Sequence, residues 1–120
     1  MELTIEHVED SIHVIRLSGR MDVHGTEDIR DSLMEHANCE DFARIVIDMS
    51  DVPYLASLGL GCLIRVAQAV NRREGRVVLL NPQPVVAKVL AETGINQQVH
   101  VYDSYPAAAR FLHMLPRGEE

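Results

Sequence analysis

Long apolar runs and paired cysteines are both missing from this sequence. No apolar run approaches the ~18 residues that a membrane-spanning helix needs, and residues 1–6 lack the basic start and apolar middle of a signal peptide. Only two cysteines occur, Cys39 and Cys62, and they lie far apart and outside any CxxC pair. We therefore expect a soluble cytoplasmic protein whose thiols are reduced rather than joined in a disulfide.

Clustered positive charge is also scarce. The chain has 11 Lys and Arg residues against 18 Asp and Glu residues, which leaves a net charge of −7. Its densest basic stretch, residues 71–76, is short and is interrupted by Glu74. Because nucleic-acid binding depends on clustered Lys and Arg that neutralise phosphates, direct binding of DNA or RNA is not expected.

Common signatures of catalysis and metal binding are absent as well. There is no GxGxxG, P-loop or GxSxG motif, and Gly59-Leu60-Gly61 lacks the third glycine and the lysine of phosphate-binding loops. We expect neither a metal ion nor a cofactor, because the histidines are scattered without HxxxH or Cys/His spacing. These histidines are His7, His13, His24, His36, His100 and His113. A small enzyme would depend on Asp22, Asp48 and Asp51, whose carboxylates fit turns and helix caps better.

What the chain does contain is an alternation of strand and helix patterns. Its 120 residues suit one domain, which we place at residues 1–115, with a polar tail at 116–120. Apolar or alternating runs predict strands at 2–8, 12–17, 44–49, 76–80 and 99–102. Apolar residues at helical spacing predict helices at 26–37, 58–72, 85–93 and from 105 onward. The order ββαβαβαβα predicts an α/β fold: a mixed, mostly parallel sheet of four to five strands covered by about four helices.

Several helix ends have recognisable signals. Gly25 or Thr26 is suited to begin the first helix, with Glu27 and Asp28 in its first turn at the positive end of the helix dipole. Gly94 is expected to end the third helix. A turn at residues 9–11 is expected to join the first two strands in an antiparallel hairpin, and Ser104 is expected to cap the last helix.

The segment from Asp48 to Ser57 begins at the end of an apolar run that predicts a strand buried on both faces. Binding groups in parallel sheets gather beyond the carboxyl ends of the strands, and Asp22 would lie there too. Ser57 has two interpretations. It is suited to cap the following helix, for about 1 kcal/mol. Alternatively it accepts a phosphate, whose charge of about −1.5 to −2 this helix start would tolerate and a docked partner would not.

The helix that follows is apolar around most of its circumference. Residues 58–70 include Leu60, Leu63 and Ile64 on one stripe, with Cys62, Val66, Ala69 and Val70 widening that stripe. Such a helix is either deeply buried or presents apolar surface to a partner.

Three segments, in this order and spacing, resemble the STAS domain, and within that family the bacterial anti-sigma factor antagonists. They are Gly19-Arg20-Met21-Asp22, the run from Ile45 to Val52, and Ser57-Leu58-Gly59-Leu60. The resemblance extends from residue 3 to residue 113 and includes the strand at 77–80 and the helix that ends at Thr93-Gly94-Ile95.

The resemblance implies a small α/β domain without catalytic activity of its own. Family members bind an anti-sigma factor that is also a serine kinase, and so release a sigma factor. The kinase phosphorylates a serine at the helix start, which ends the interaction, and a PP2C-type phosphatase restores it. In the usual motif, Asp-Ser-Ser-Gly-Leu, the first serine matches Ser57. The aspartate of the Gly-x-x-Asp segment matches Asp22.

Two positions depart from that motif. Ala56 and Leu58 stand where the family usually has aspartate and a second serine, while the acceptor hydroxyl and Gly59 remain. Phosphorylation of Ser57 is the leading hypothesis, and the alternative is a binding module that acts unphosphorylated, as a subunit of a lipid-transport ATPase or of a larger sensory complex. The residues expected to contact the partner are Asp22, Ala56, Ser57, Leu58, Gly59 and Leu60.

Overall fold

Strands and helices follow one another in the predicted order. The computed structural model describes residues 1–7 and 12–114; the predicted turn at 9–11 and the predicted tail at 116–120 lie outside them. The strands are β1 (Glu2–His7), β2 (Ile12–Ser18), β3 (Arg44–Asp51), β4 (Arg76–Leu80) and β5 (His100–Tyr102). The helices are α1 (Val23–Ala37), α2 (Ser57–Arg72), α3 (Pro84–Thr93) and α4 (Tyr105–His113), with a short 3₁₀ turn at Ile95–Gln97.

All five strands form one sheet in the order β1-β2-β3-β4-β5. β1 and β2 are antiparallel, with Leu3 opposite Leu17, and every later pairing is parallel. The predicted mixed, mostly parallel sheet is therefore confirmed. Since β2, β3 and β4 point the same way, the loops that follow them meet at one edge of the sheet.

The two faces of the sheet carry separate apolar clusters. On β3, Ile45, Ile47 and Met49 face α1, α2 and α3, whereas Val46 faces Ala108 and Leu112 of α4. Most of the apolar stripe of helix α2 is buried between the sheet and α1, while Leu58 in its first turn stays exposed. The residues of α2 that are buried are Gly59, Cys62, Leu63, Val66, Ala67, Ala69 and Val70.

The start of α1 differs from its prediction. The helix begins at Val23, and Asp22 rather than Gly25 or Thr26 is its N-cap, accepting a hydrogen bond from the Gly25 N–H at 2.8 Å. Gly25 and Thr26 are buried inside the helix. The predicted acidic first turn is also wrong, because residues 27 and 28 now fall in the second turn.

Other helix ends and the thiols agree with prediction. Gly94 ends α3 in the left-handed region, at φ +75°, and the Ser104 hydroxyl accepts a hydrogen bond from the Ala107 N–H at 3.4 Å. Cys39 and Cys62 are both free. Within residues 1–7 and 12–114, every helix is too short or too polar to cross a membrane.

Candidate functional site

Two loops at the carboxyl edge of the sheet are hydrogen-bonded side by side. The loop after β2 runs alongside the loop after β3. The Met21 N–H donates to the Tyr54 carbonyl at 2.9 Å, and the Ala56 N–H donates to the Met21 carbonyl at 3.0 Å. Asp22 and Ser57 each follow directly on a residue of this ladder. Helices α1 and α2 therefore begin beside each other, with Asp22 at the start of one and Ser57 at the start of the other.

Ser57 is the first residue of α2 and not its cap. Ala56 occupies the N-cap position, at φ −88° and ψ 168°, and supplies no side-chain hydrogen bond. The Ser57 side chain is exposed, and its hydroxyl makes no hydrogen bond with the part of the chain that is described. The capping interpretation of Ser57 is therefore wrong. An uncapped helix of 16 residues presents its free N–H groups and positive dipole end beside an unused hydroxyl.

The six residues expected to contact a partner differ in accessibility. Ser57 and Leu58 are exposed, while Asp22, Ala56 and Leu60 are half-buried. Gly59 is buried against Met21 and Leu55. Its role is structural, because the missing side chain lets α2 approach the loop after β2. Two exposed apolar neighbours were not predicted, Val23 and Tyr54. Their exposure depends on how the two loops pack against each other, and this cannot be predicted from the local sequence pattern.

Asp22 combines a structural role with a fixed charge. The hydrogen bond from the Gly25 N–H lowers the pKa of the Asp22 carboxyl, and the neighbouring Arg20 guanidinium lowers it further against the opposing effect of desolvation. The Arg20 guanidinium lies 3.8 Å from the Asp22 carboxylate and stacks 4.3 Å from the centre of the Tyr54 ring. Asp22 thus stays ionised near neutral pH and anchors α1 at the site.

Asp48 lies away from the site, within β3 and inside the strand predicted at 44–49. It is 8% exposed and accepts a hydrogen bond from the Ser50 N–H at 2.9 Å. Its other oxygen lies 3.4 Å from the Arg16 guanidinium, and its side chain shares the sheet face of Val46, opposite α2. Asp22, Asp48 and Asp51 therefore form no carboxylate cluster. No group of three His, Cys, Asp or Glu residues that could hold a metal ion occurs in the described ranges.

A basic groove between α1 and α2 adjoins Ser57 and was not predicted. It encloses about 90 Å³. Its walls are Thr26, Arg30, Ser57, Leu58, Gly61, Cys62 and Arg65. The only signal in the sequence is spacing: residues 26 and 30 share one helix face, and residues 57, 61 and 65 share another. Which two faces meet is decided by tertiary packing.

Comparison with known proteins agrees with this geometry. The family model described as the STAS domain matches residues 4–108. The anti-sigma F factor antagonist of Paenibacillus polymyxa is 24% identical over 107 residues, covering 87% of this chain and 88% of that protein. The anti-sigma F factor antagonist of Lysinibacillus sphaericus is 28% identical over 95 residues, covering 79% of this chain and 81% of that protein.

A solved structure gives the same result for the fold. The Bacillus cell fate determinant SpoIIAA in its phosphorylated form aligns with a TM-score of 0.68 at 26% identity, over 92% of this chain and 99% of that one. The sheet order, the paired helix starts and a family match over most of the chain lead to one conclusion. The chain belongs to the STAS domain family.

Proposed function

We propose that this protein is an anti-sigma factor antagonist, a regulatory binding protein of the cytoplasm rather than an enzyme. It binds an anti-sigma factor that is also a serine kinase and so releases a sigma factor for transcription. Phosphorylation of Ser57 ends the interaction, and a PP2C-type phosphatase restores it. The observation that carries the proposal is the exposed, unbonded Ser57 hydroxyl at the first position of α2 in a chain whose relatives are named as such antagonists.

The position of Ser57 explains how a phosphate could block binding without unfolding the protein. The negative charge would lie at the positive end of α2, where the antagonist's own fold tolerates it. A partner docked over the helix start would meet that charge together with Leu58, Val23 and Tyr54, the exposed apolar residues around it. Removing a dianion from water at such a contact is unfavourable, so the complex dissociates.

The phosphoacceptor is tested by intact-mass analysis after incubation with the cognate anti-sigma kinase and ATP. We expect one phosphate on the wild type and none on Ser57→Ala. Ser104→Ala is the matched control, because Ser104 is also a serine at a helix start but its hydroxyl caps α4. Equal phosphorylation of wild type and Ser57→Ala, or no phosphorylation at all, would overturn the assignment.

The electrostatic mechanism is tested by comparing Ser57→Glu with Ser57→Gln. The two side chains have nearly the same shape, so their difference in affinity for the anti-sigma factor isolates charge. We expect Ser57→Glu to bind more weakly than Ser57→Gln, with both melting temperatures near that of the wild type. Capture of a transport ATPase or a sensory complex, with no kinase bound, would instead favour the unphosphorylated binding module.

A further inference from the structure

The groove between α1 and α2 is basic, although the chain as a whole is acidic. Its lining contains two arginines, Arg30 and Arg65, and no acidic residue, against a net charge of −7 for the protein. Its volume of about 90 Å³ is several times the ~10–15 Å³ that one water molecule needs, so a small anion fits in it.

Both arginines are available to a ligand. Neither Arg30 nor Arg65 forms an ion pair or a hydrogen bond with another residue of the described chain. Burial raises the pKa of the Cys62 thiol, and the charges of Arg30 and Arg65 oppose that rise. Arg30 of α1 and Arg65 of α2 thus line the same groove as Cys62.

The spacing along α2 directs Arg65 toward Ser57. Ser57, Gly61 and Arg65 recur every fourth residue and share one helix face, with about 12 Å between the first and last Cα atoms at 1.5 Å per residue. Long side chains on a helix lean toward its N-terminus. Nothing lies within 4 Å of the position that a Cβ at Gly61 would occupy, so the helix surface at Gly61, between Ser57 and Arg65, is open.

Thr26 supplies an independent sign that a ligand belongs here. It lines the groove from the α1 side, is fully buried, and its Oγ1 has no hydrogen-bond partner among residues 1–7 and 12–114. A buried hydroxyl without a partner destabilises the fold, because it has lost its hydrogen bonds to water. A phosphate oxygen is an acceptor that would satisfy it.

We propose that this groove is a phosphate-binding site in which Arg30 and Arg65 hold the phosphoryl group carried by Ser57, with Thr26 donating a hydrogen bond from α1. This deepens the proposed function and rests on Ser57 being the phosphoacceptor. Guanidinium groups bind phosphate through charge-assisted, often bidentate hydrogen bonds, and the free N–H groups of α2 add further donors. The phosphate then joins α1 to α2 beside Leu58.

The test places phosphoserine at position 57 during synthesis, so that no kinase is needed. Melting temperatures of unmodified and phosphorylated chains are compared in the wild type, Arg30→Gln, Arg65→Gln and Arg72→Gln. Arg72 is the control because it is exposed in the last turn of α2, about 22 Å from Ser57 at 1.5 Å per residue. We expect phosphorylation to raise the melting temperature in the wild type and Arg72→Gln, and by less than half as much in the other two. An equal effect in all four would overturn the proposal.

Thr26→Val gives a second test, in which stability should not fall in the unmodified protein but the stabilisation by phosphate should. It keeps the side-chain shape but removes the hydroxyl, so the unmodified protein should be as stable as the wild type or more stable. The gain on phosphorylation should be smaller. Kinase modification of Ser57 without any arginine dependence would overturn the groove alone. Arginine-dependent stabilisation of a chain that the kinase does not modify would overturn the phosphorylation switch alone.

Discussion

Gly59 of α2 lies directly against Met21 of the loop after β2. A Cβ atom at Gly59 would stand 2.7 Å from Met21 Cγ and 2.9 Å from the Met21 carbonyl oxygen, whereas one at Gly61 would have no neighbour within 4 Å. The two glycines are two residues apart in the same helix. The same substitution at each therefore separates helix propensity from packing at the site.

Gly61→Ala should stabilise the protein and Gly59→Ala should destabilise it. Alanine is favoured over glycine inside a helix by about 0.5–1 kcal/mol, which is the gain expected at Gly61. At Gly59 the new methyl group meets a backbone carbonyl that cannot yield unless α2 moves, at a cost of about 1–3 kcal/mol. Urea unfolding measures both changes. A stabilised Gly59→Ala variant would contradict the close approach of α2 to Met21.

Ser57→Ala should leave stability nearly unchanged, within about 0.5 kcal/mol, because the Ser57 hydroxyl makes no capping bond. Ser104→Ala should lower the free energy of unfolding by about 0.5–2 kcal/mol, because it removes the bond that caps α4. Thermal or urea unfolding of the two variants gives the comparison. Equal destabilisation by both would mean that Ser57 caps α2 after all.

Asp22 should make stability depend on acid pH. Its pKa is lowered in the folded state, chiefly by the Gly25 N–H, so its contribution is fully present above its unfolded pKa of about 3.9 and is lost as pH falls through the folded value. The difference in urea midpoint between wild type and Asp22→Ser should therefore be constant above about pH 5 and change below about pH 4. A serine at position 22 can still cap α1, but it has no group that titrates in this acid range. A difference that is the same at every pH would exclude this role for Asp22.

The order of elements could be predicted because its signals are local. The β-branched run at 44–49 and the helical spacing of apolar residues in α2 are properties of neighbouring residues, and both elements are present. The start of α1 was missed for the opposite reason. Glycine disfavours a helix interior, but Gly25 is used there because a Cβ would collide with the Arg20 carbonyl oxygen. That constraint exists only once the loop after β2 is in place.

The candidate site was predictable in part. Ser57 and Asp22 follow strands whose carboxyl ends share an edge, so topology alone brings them together. The groove formed by Arg30 and Arg65 depends on which faces of α1 and α2 meet, and no local pattern specifies this. Asp48 lies within the predicted strand, and the alternation of side chains along β3 places it on the face of Val46, opposite α2 and away from the site.

Ala56→Asn and Ala56→Asp should both stabilise the protein. Ala56 occupies the N-cap of α2 with the extended backbone that capping requires, but alanine cannot accept the bond from the helix N–H groups. A capping side chain there should add about 0.5–2 kcal/mol to the free energy of unfolding. If only the aspartate variant gains stability, the gain comes from charge at the helix end rather than from a hydrogen bond. No gain in either variant would contradict the cap geometry.

Leu58→Ser should weaken partner binding without weakening the fold, if the start of α2 is the docking surface. Leu58 is 39% exposed, so a docked partner would bury more of it, and fully burying a leucine side chain is worth about 1.5–3 kcal/mol. A loss of about tenfold in affinity for the anti-sigma factor, equivalent to about 1.4 kcal/mol, is expected by calorimetry. Val85→Ser is the control, since Val85 is 62% exposed on α3 and should leave both affinity and melting temperature unchanged. An unchanged affinity for Leu58→Ser would place the docking surface away from the start of α2, and would contradict the proposed action of a phosphate on Ser57.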